Sequence, residues 1–247
     1  MLPSMTDLYD TIGLNYADLR KPDRRIGQRI HNALAGATTV LNVGAGAGSY
    51  EPDDLEVTAV EPSIEMINQR GQSDATIVQG SAEDLPFPDD SFDAAMAVLT
   101  IHHWSDQKKG IQEIRRVTRG PIVLLTFDPF ADWFWLADYF PALVELDKWQ
   151  MPQLEKFETW FNQVTVSALP IPHDCTDGFL AAYWRRPEAY LDVRARSAMS
   201  SFSAIGDVSE GVSKLEKDLK SGAWRRRYAQ LLELTELDCG YRLVVGR

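Results

Sequence analysis

The chain has only two cysteines in 247 residues, Cys175 and Cys239, far apart and in no CxxC spacing. That scarcity argues against a disulfide scaffold and a thiolate zinc site, and it fits a reducing compartment, the cytoplasm. Positive charge is also short: 25 Lys and Arg stand against 36 Asp and Glu, a formal net charge of -11. Nucleic acid and anionic membranes attract a positive footprint, so neither is an expected partner. The basic clusters Arg185-Arg186 and Arg225-Arg226-Arg227 sit in helix-like stretches and read as solvated faces or ion pairs. No apolar run approaches the ~20 residues of a membrane span. The opening MLPSMTDLYD has neither the basic nor the apolar region of a signal peptide. No Asp/Glu/Asn triple marks a catalytic metal centre, so no metal is expected, and oligomeric state stays open between monomer and homodimer.

What is present is an alternation. Short β-type runs fall at 39–43 (TVLNV), 57–60 (VTAV), 76–78, 92–99 (FDAAMAVL) and 121–127 (PIVLLTF). Helical spacing appears between them at 63–70 and 105–117, with Ser63 and Ser105 as expected N-caps. Strands with little polar alternation, separated by helices, imply a parallel sheet covered on both faces. Right-handed crossovers then give a doubly wound sheet. After Asp128 aromatic residues crowd the chain, with helical texture at 136–146, 154–161 and most of 178–236. Runs at 164–169 and 241–245 complete the strands. The expected class is α/β: a doubly wound, mostly parallel seven-strand sheet with a helical substrate cap, in one compact domain.

The stretch NVGAGAGSYEP, 42–52, is a glycine turn after the first strand. A dinucleotide fingerprint needs G-x-G-x-x-G before a helix, with an acidic residue ~20 positions on. Here Gly44, Gly46 and Gly48 bring the third glycine one place early, and Ser49 takes the last position. Glu61 ends the next strand, where a carboxylate can accept from a ribose diol in either nucleotide class. Pro52, Asp53 and Asp54 fall in the short gap before that strand, so the first crossover helix must be very short or missing. A pyrophosphate leans on that helix's N-terminal amides; a sulfonium does not. The gap therefore counts against NAD.

Four segments in order, NVGAGAGSYEP, AVEPSIEMINQR, QGSAEDLPFPDDSF and DAAMAVLTIHHW, resemble class I S-adenosylmethionine-dependent methyltransferases, in particular the small-molecule type 11 group. The resemblance covers roughly residues 9 to 128 and implies a Rossmann-like methyltransferase fold that binds S-adenosylmethionine and releases S-adenosylhomocysteine. It implies that Gly44, Ala45, Gly46 and Gly48 let the backbone approach the cofactor and that Glu61 holds its ribose hydroxyls. Pro62 and Ile64 would lie by the adenine, Ser81, Ala82 and Glu83 would read its edge, and Val98 and Leu99 would border the methionine part. Residues 1–30 would form a lid segment, with Tyr9, Tyr16 and Arg20 closing over the cofactor. Residues 31–128 would be the cofactor-binding core, and 129–247 the remaining strands with cap insertions. The chain departs from the family at Asn42, where an acidic residue is usual, so Asn42→Asp is expected to tighten cofactor binding.

An activated methyl group needs alignment more than catalytic groups, so no triad is expected. His102-His103, past the fourth strand, and Asp128, ending the fifth, fall where open α/β sheets place ligands. His103 is a candidate base and Asp128 a candidate substrate contact, each beside a packing role; His173 is a third candidate, beside a loop-capping role. Trp133, Trp135, Tyr139 and Trp184 are candidate walls of an apolar substrate pocket, with packing of a cap helix as the other reading. The expected activity is methyl transfer to an O, N or C acceptor on a small-molecule metabolite. A catalytically silent binding protein and an NAD-dependent oxidoreductase are the alternatives.

Overall fold

The computed structural model describes residues 19–34 and 36–247. Contacts divide the chain into two units. The sheet unit holds Pro22–Asp128, Gln150–Leu169 and Tyr241–Arg247; the helical unit holds Pro129–Trp149, Pro170–Gly240 and the described part of Met1–Lys21.

The sheet unit opens with α1 (Arg24–Ala33), capped by Asp23, whose side chain accepts from Arg25 N. The apolar runs then form β1 (Thr39–Val43), β2 (Glu56–Glu61), β3 (Thr76–Gln79), β4 (Ala94–Val98) and β5 (Ile122–Phe127). These five are parallel, and β9 (Tyr241–Gly246) runs antiparallel between β5 and β6 (Val164–Ala168). The spatial order is β3-β2-β1-β4-β5-β9-β6, a mostly parallel seven-stranded sheet. Every residue of β5 is buried, as a central strand covered on both faces requires.

Two further helices cover this sheet in the first half. Helix α2 (Ile64–Asn68) starts at Ser63, whose hydroxyl accepts from Met66 N at 3.3 Å. Helix α3 (Gln107–Val117) buries Ile111, Ile114 and Val117 against Leu41, Ala95 and Leu124. Its cap is Asp106, not the expected Ser105, because the Asp106 carboxylate stands three residues before Lys109 N and accepts from it at 3.0 Å. Ser105 instead donates its hydroxyl to Glu83 at 2.8 Å. Between β1 and β2 there are turns and no helix, as the 44–55 spacing implies.

The helical unit is built from α4 (Ala142–Gln150, whose last residue falls in the sheet unit), α6 (Val193–Ser197), α7 (Ser200–Ala204), α8 (Ser209–Lys220) and α9 (Ala223–Arg227), with short 3-10 turns; α5 (Glu155–Trp160) belongs to the sheet unit. Its own core gathers Trp135, Tyr139, Phe140, Tyr190, Phe202 and Trp224, with aliphatic neighbours. Trp135 meets Tyr139, Tyr190 and Trp224 edge-on with ring centroids 5.3–5.8 Å apart, the arrangement that ring quadrupoles favour. A two-stranded ribbon, β7 (Ile171–Pro172) with β8 (Glu236–Leu237), closes this unit. No helix among the described residues is long and apolar enough to cross a membrane.

Candidate functional site

In an open parallel sheet, ligands bind beyond the carboxyl ends of the strands, where the strand order reverses. Here that point lies between β1 and β4, the strands that flank the switch from descending to ascending order. The glycine turn leaves β1 there. Gly44, Gly46 and Gly48 have φ of 67°, 53° and 91°, the left-handed region that a side chain rarely adopts. The turn hangs from β2, since the amides of Gly44 and Ala45 both donate to Val60 O, at 2.9 and 3.1 Å. Leu99, a bulky residue, also adopts a left-handed φ of 53° just past β4, held by its amide on Leu125 O. Strain of this kind collects at ligand sites.

Glu61, at the end of β2, is 7% exposed. Its carboxylate accepts from Gly46 N at 2.8 Å and Ser63 N at 2.9 Å. Burial raises its pKa, against the pull of the Ser63 and Gly46 amides and the Arg70 charge. A carboxylate has about four acceptor positions, so two remain for a ligand such as a diol. Ile64, half exposed despite its size, follows at the start of α2 beside Pro62. Ala82 is buried in the sheet core, whereas Ser81 is half-buried. Glu83 is tied to α3 through Ser105 and the Asp106 amide. Burial alone would raise its pKa, but those bonds prevail and lower it. Val98 ends β4 half-buried.

Three residues assemble a network that local spacing does not reveal. Asn42, buried in β1, donates Nδ2 to Glu51 Oε1 at 2.9 Å. Arg70, past α2, donates to Glu51 Oε2 at 2.5 Å and to Gly46 O at 3.3 Å. Its guanidinium lies where a Cβ on Gly48 would come within 3.1–3.2 Å. The helixless turn is thus braced by an ion pair. The expectation for Asn42→Asp is reversed by this contact: aspartate would set a second carboxylate against Glu51, and like charges that close raise one pKa and oppose ionisation. Glu51 was legible as an acid in SYEP, but its pairing with Arg70, 19 residues on, has no local signal.

His102 and His103 form a 3-10 turn after β4, their rings 3.7 Å apart and tilted by 52°. Burial lowers the pKa of His102 to about 4; burial and then the neighbouring His102 lower that of His103. Both imidazoles are therefore neutral at pH 7. A folded-state pKa below the unfolded value of ~6.5 means that the unfolded chain binds more protons between the two values. Stability should accordingly fall as pH drops from 6.5 toward 4, by about 3 kcal/mol at most for His102. Urea unfolding from pH 7 to 5 checks this: the wild type should lose stability and a His102→Asn/His103→Asn chain should lose less.

The other candidates are placed as follows. Asp128 pairs with Arg242 at 3.6 Å in the sheet unit. His173 belongs to the helical unit, where its amide donates to Thr235 O. Arg20 pairs with Asp177 at 2.6 Å, also in the helical unit; Tyr9 and Tyr16 lie outside the described residues. Trp135, Tyr139 and Trp184 are buried within the helical unit. Trp135 Nε1 donates to Trp184 O and Trp184 Nε1 to Ile171 O, so packing already occupies these rings, while Trp133 is half-buried at the rim of the cluster. The flanking Arg185 and Arg186 donate to backbone carbonyls at Leu234, Cys175 and Ala182. Among the described residues no cluster of His, Cys, Asp or Glu is placed to hold a metal ion.

Comparison with known proteins agrees with this geometry. Residues 41–121 match the family described as a methyltransferase domain. A solved structure from Anabaena variabilis, provisionally assigned as a methyltransferase of an antibiotic biosynthesis pathway, is 38% identical. It covers 93% of this chain and 99% of its own, with a TM-score of 0.87. The 2-methyl-6-phytyl-1,4-hydroquinone methyltransferase 2 of rice is 33% identical over 135 residues, 50% of this chain and 37% of that enzyme. The demethylmenaquinone methyltransferase of Renibacterium salmoninarum is 35% identical over 104 residues, 37% of this chain and 44% of that enzyme. The chain thus spans less than half the length of either enzyme.

Proposed function

The chain belongs to the class I S-adenosylmethionine-dependent methyltransferases, and from that membership we propose that it transfers a methyl group from S-adenosylmethionine to an O, N or C acceptor on a small-molecule metabolite. The observation that carries this reading is the buried Glu61 carboxylate beside a left-handed glycine turn with no helix beneath it. That edge offers backbone approach and negative charge, which suit a cationic nucleoside, and it lacks the helix N-terminus that a pyrophosphate needs.

The residues fit the cofactor in specific ways. Gly44 holds the left-handed turn that exposes its backbone, with Thr100 where a Cβ would lie; Glu61 keeps acceptor positions for the ribose hydroxyls; Ile64 offers an exposed apolar face for the adenine, next to Pro62. Ser81, Ala82 and Glu83 would border the adenine edge, Val98 and Leu99 the methionine part, and Tyr16 and Arg20 belong to the proposed lid. When bound, S-adenosylmethionine supplies an electrophilic methyl on a sulfonium, so the chain's task is to align an acceptor and exclude water. A base helps only where the acceptor carries a proton to be lost. His103, whose imidazole is neutral at pH 7, is the proposed base, with His173 as the other candidate base and Asp128 as a candidate substrate contact.

The rice and Renibacterium relatives are named for ring-bearing acceptors, a hydroquinone and a demethylmenaquinone. We extend to this chain the class of ring-bearing, mid-sized acceptors, with Trp133, Trp135, Tyr139 and Trp184 kept as candidate substrate contacts. Buried cysteines at 175 and 239 that form no disulfide suit the cytoplasm as the compartment. The test is label transfer from methyl-labelled S-adenosylmethionine across phenols, hydroquinones and amines. Transfer to one class is the expected result; tight S-adenosylhomocysteine binding with no transfer to any acceptor would favour a binding protein instead.

A further inference from the structure

Asn42 is 1% exposed and its Oδ1 has no donor among the described residues. The amide cannot be turned over to cure this, because Nδ2 already faces the Glu51 carboxylate and an oxygen there would be repelled. A buried acceptor without a donor is costly and marks a place where a ligand or water donor belongs. The charge around it points the same way. Glu51 and Glu61 both carry carboxylates at the turn, and Arg70 is the one cation paired there among the described residues, so the turn keeps an excess negative charge. Glu51 is itself 9% exposed at its side chain and Arg70 3%, so solvent screens this charge poorly.

We propose that Glu51 is the cofactor's anionic partner: with Asn42 Oδ1 it receives the ammonium at the amino-acid end of S-adenosylmethionine, and Arg70 positions it. The inference rests on the cofactor reading above. Glu51 thereby supplies from the turn the charge that Asn42 does not supply from the strand. Arg70 holds Glu51 Oε2, and Oε1, which accepts from Asn42 Nδ2, keeps its second acceptor position for the ligand.

The test compares two ligands by calorimetry: S-adenosylhomocysteine, and methylthioadenosine, which shares the nucleoside and thioether but lacks the amino-acid end. Glu51→Gln should weaken S-adenosylhomocysteine roughly tenfold to a hundredfold, the scale of a charged hydrogen bond, and leave methylthioadenosine within about twofold. Equal weakening of both ligands would reduce Glu51 to a brace of the turn and overturn the proposal, as would no weakening of either. Asn42→Asp/Glu51→Gln returns the carboxylate to the strand and should restore the wild-type preference for S-adenosylhomocysteine. If Glu51→Gln fails to fold, Glu51→Asp decides alone: weaker S-adenosylhomocysteine binding with methylthioadenosine unchanged supports the proposal, and equal weakening or none overturns it. Wild-type chain that binds neither ligand would instead refute the cofactor reading itself.

Discussion

Gly44→Ala is expected to abolish S-adenosylhomocysteine binding and to cost about 3–5 kcal/mol of stability, the range of severe single substitutions. Two effects add. Gly44 sits at φ 67°, where an L side chain costs about 1–2 kcal/mol. The new Cβ would also lie 2.1 Å from Thr100 Oγ1 and 2.9 Å from its Cβ and Cγ2. Thr100 is buried and leads into Ile101, which is anchored in the sheet core, so it cannot simply swing away. The turn must move instead, and with it the amides of Gly44 and Ala45 that hang on Val60. Urea unfolding and ligand titration read both losses. Adding Thr100→Ala removes two of the three colliding atoms, so the double variant should recover part of the stability, a coupling that only contact explains. A Gly44→Ala chain as stable as wild type, with undiminished binding, would contradict this account of the turn.

Glu61→Ala should be nearly as damaging, for a different reason. Its carboxylate is the acceptor for Gly46 N and Ser63 N, so it ties the glycine turn to the start of α2. Truncation leaves both amides without their acceptor and leaves Arg70 with one carboxylate fewer nearby. Each orphaned donor costs about 1–3 kcal/mol, reduced where water enters the space. A loss of about 2–4 kcal/mol in denaturant unfolding is expected, with ligand affinity lowered by at least about a hundredfold if Glu61 holds the ribose diol as proposed. Glu61→Gln keeps one acceptor oxygen and most of the volume. It should recover much of the stability and little of the affinity, which separates the structural from the binding role. Equal recovery of both would assign Glu61 to structure alone.

The contrast between these positions and others shows what local pattern can carry. The strand runs, the glycine turn and the missing crossover helix follow from hydrophobic spacing and from Pro52, all within a few residues of each other. The Ser63 cap is equally local. At α3 the same logic erred by one residue, because Asp106 stands next to Ser105 and either can cap; the winner was decided by Glu83, which is 22 residues from Ser105 and engages its hydroxyl. The insertion of β9 between β5 and β6 is a pairing over more than 70 residues, invisible in the runs themselves. Arg70 with Glu51, and Trp135 with the Trp184 carbonyl, are likewise contacts that only the folded chain brings together. The aromatic stretch after residue 128 illustrates the ambiguity best. Its composition suits a pocket wall or a core equally, and the rings of Trp135, Tyr139 and Trp184 turn out to be buried against one another and their neighbours. Candidate residues at the turn are legible where backbone conformation requires glycine, and hidden where charge pairing across the fold does the selecting.

The most direct measurement is calorimetric titration of the wild-type chain with S-adenosylhomocysteine and, separately, with NADH. A turn that holds a cationic nucleoside on backbone, Glu61 and Glu51, with no helix for a pyrophosphate, predicts saturable S-adenosylhomocysteine binding and none for NADH. NADH binding without a response to S-adenosylhomocysteine would contradict it.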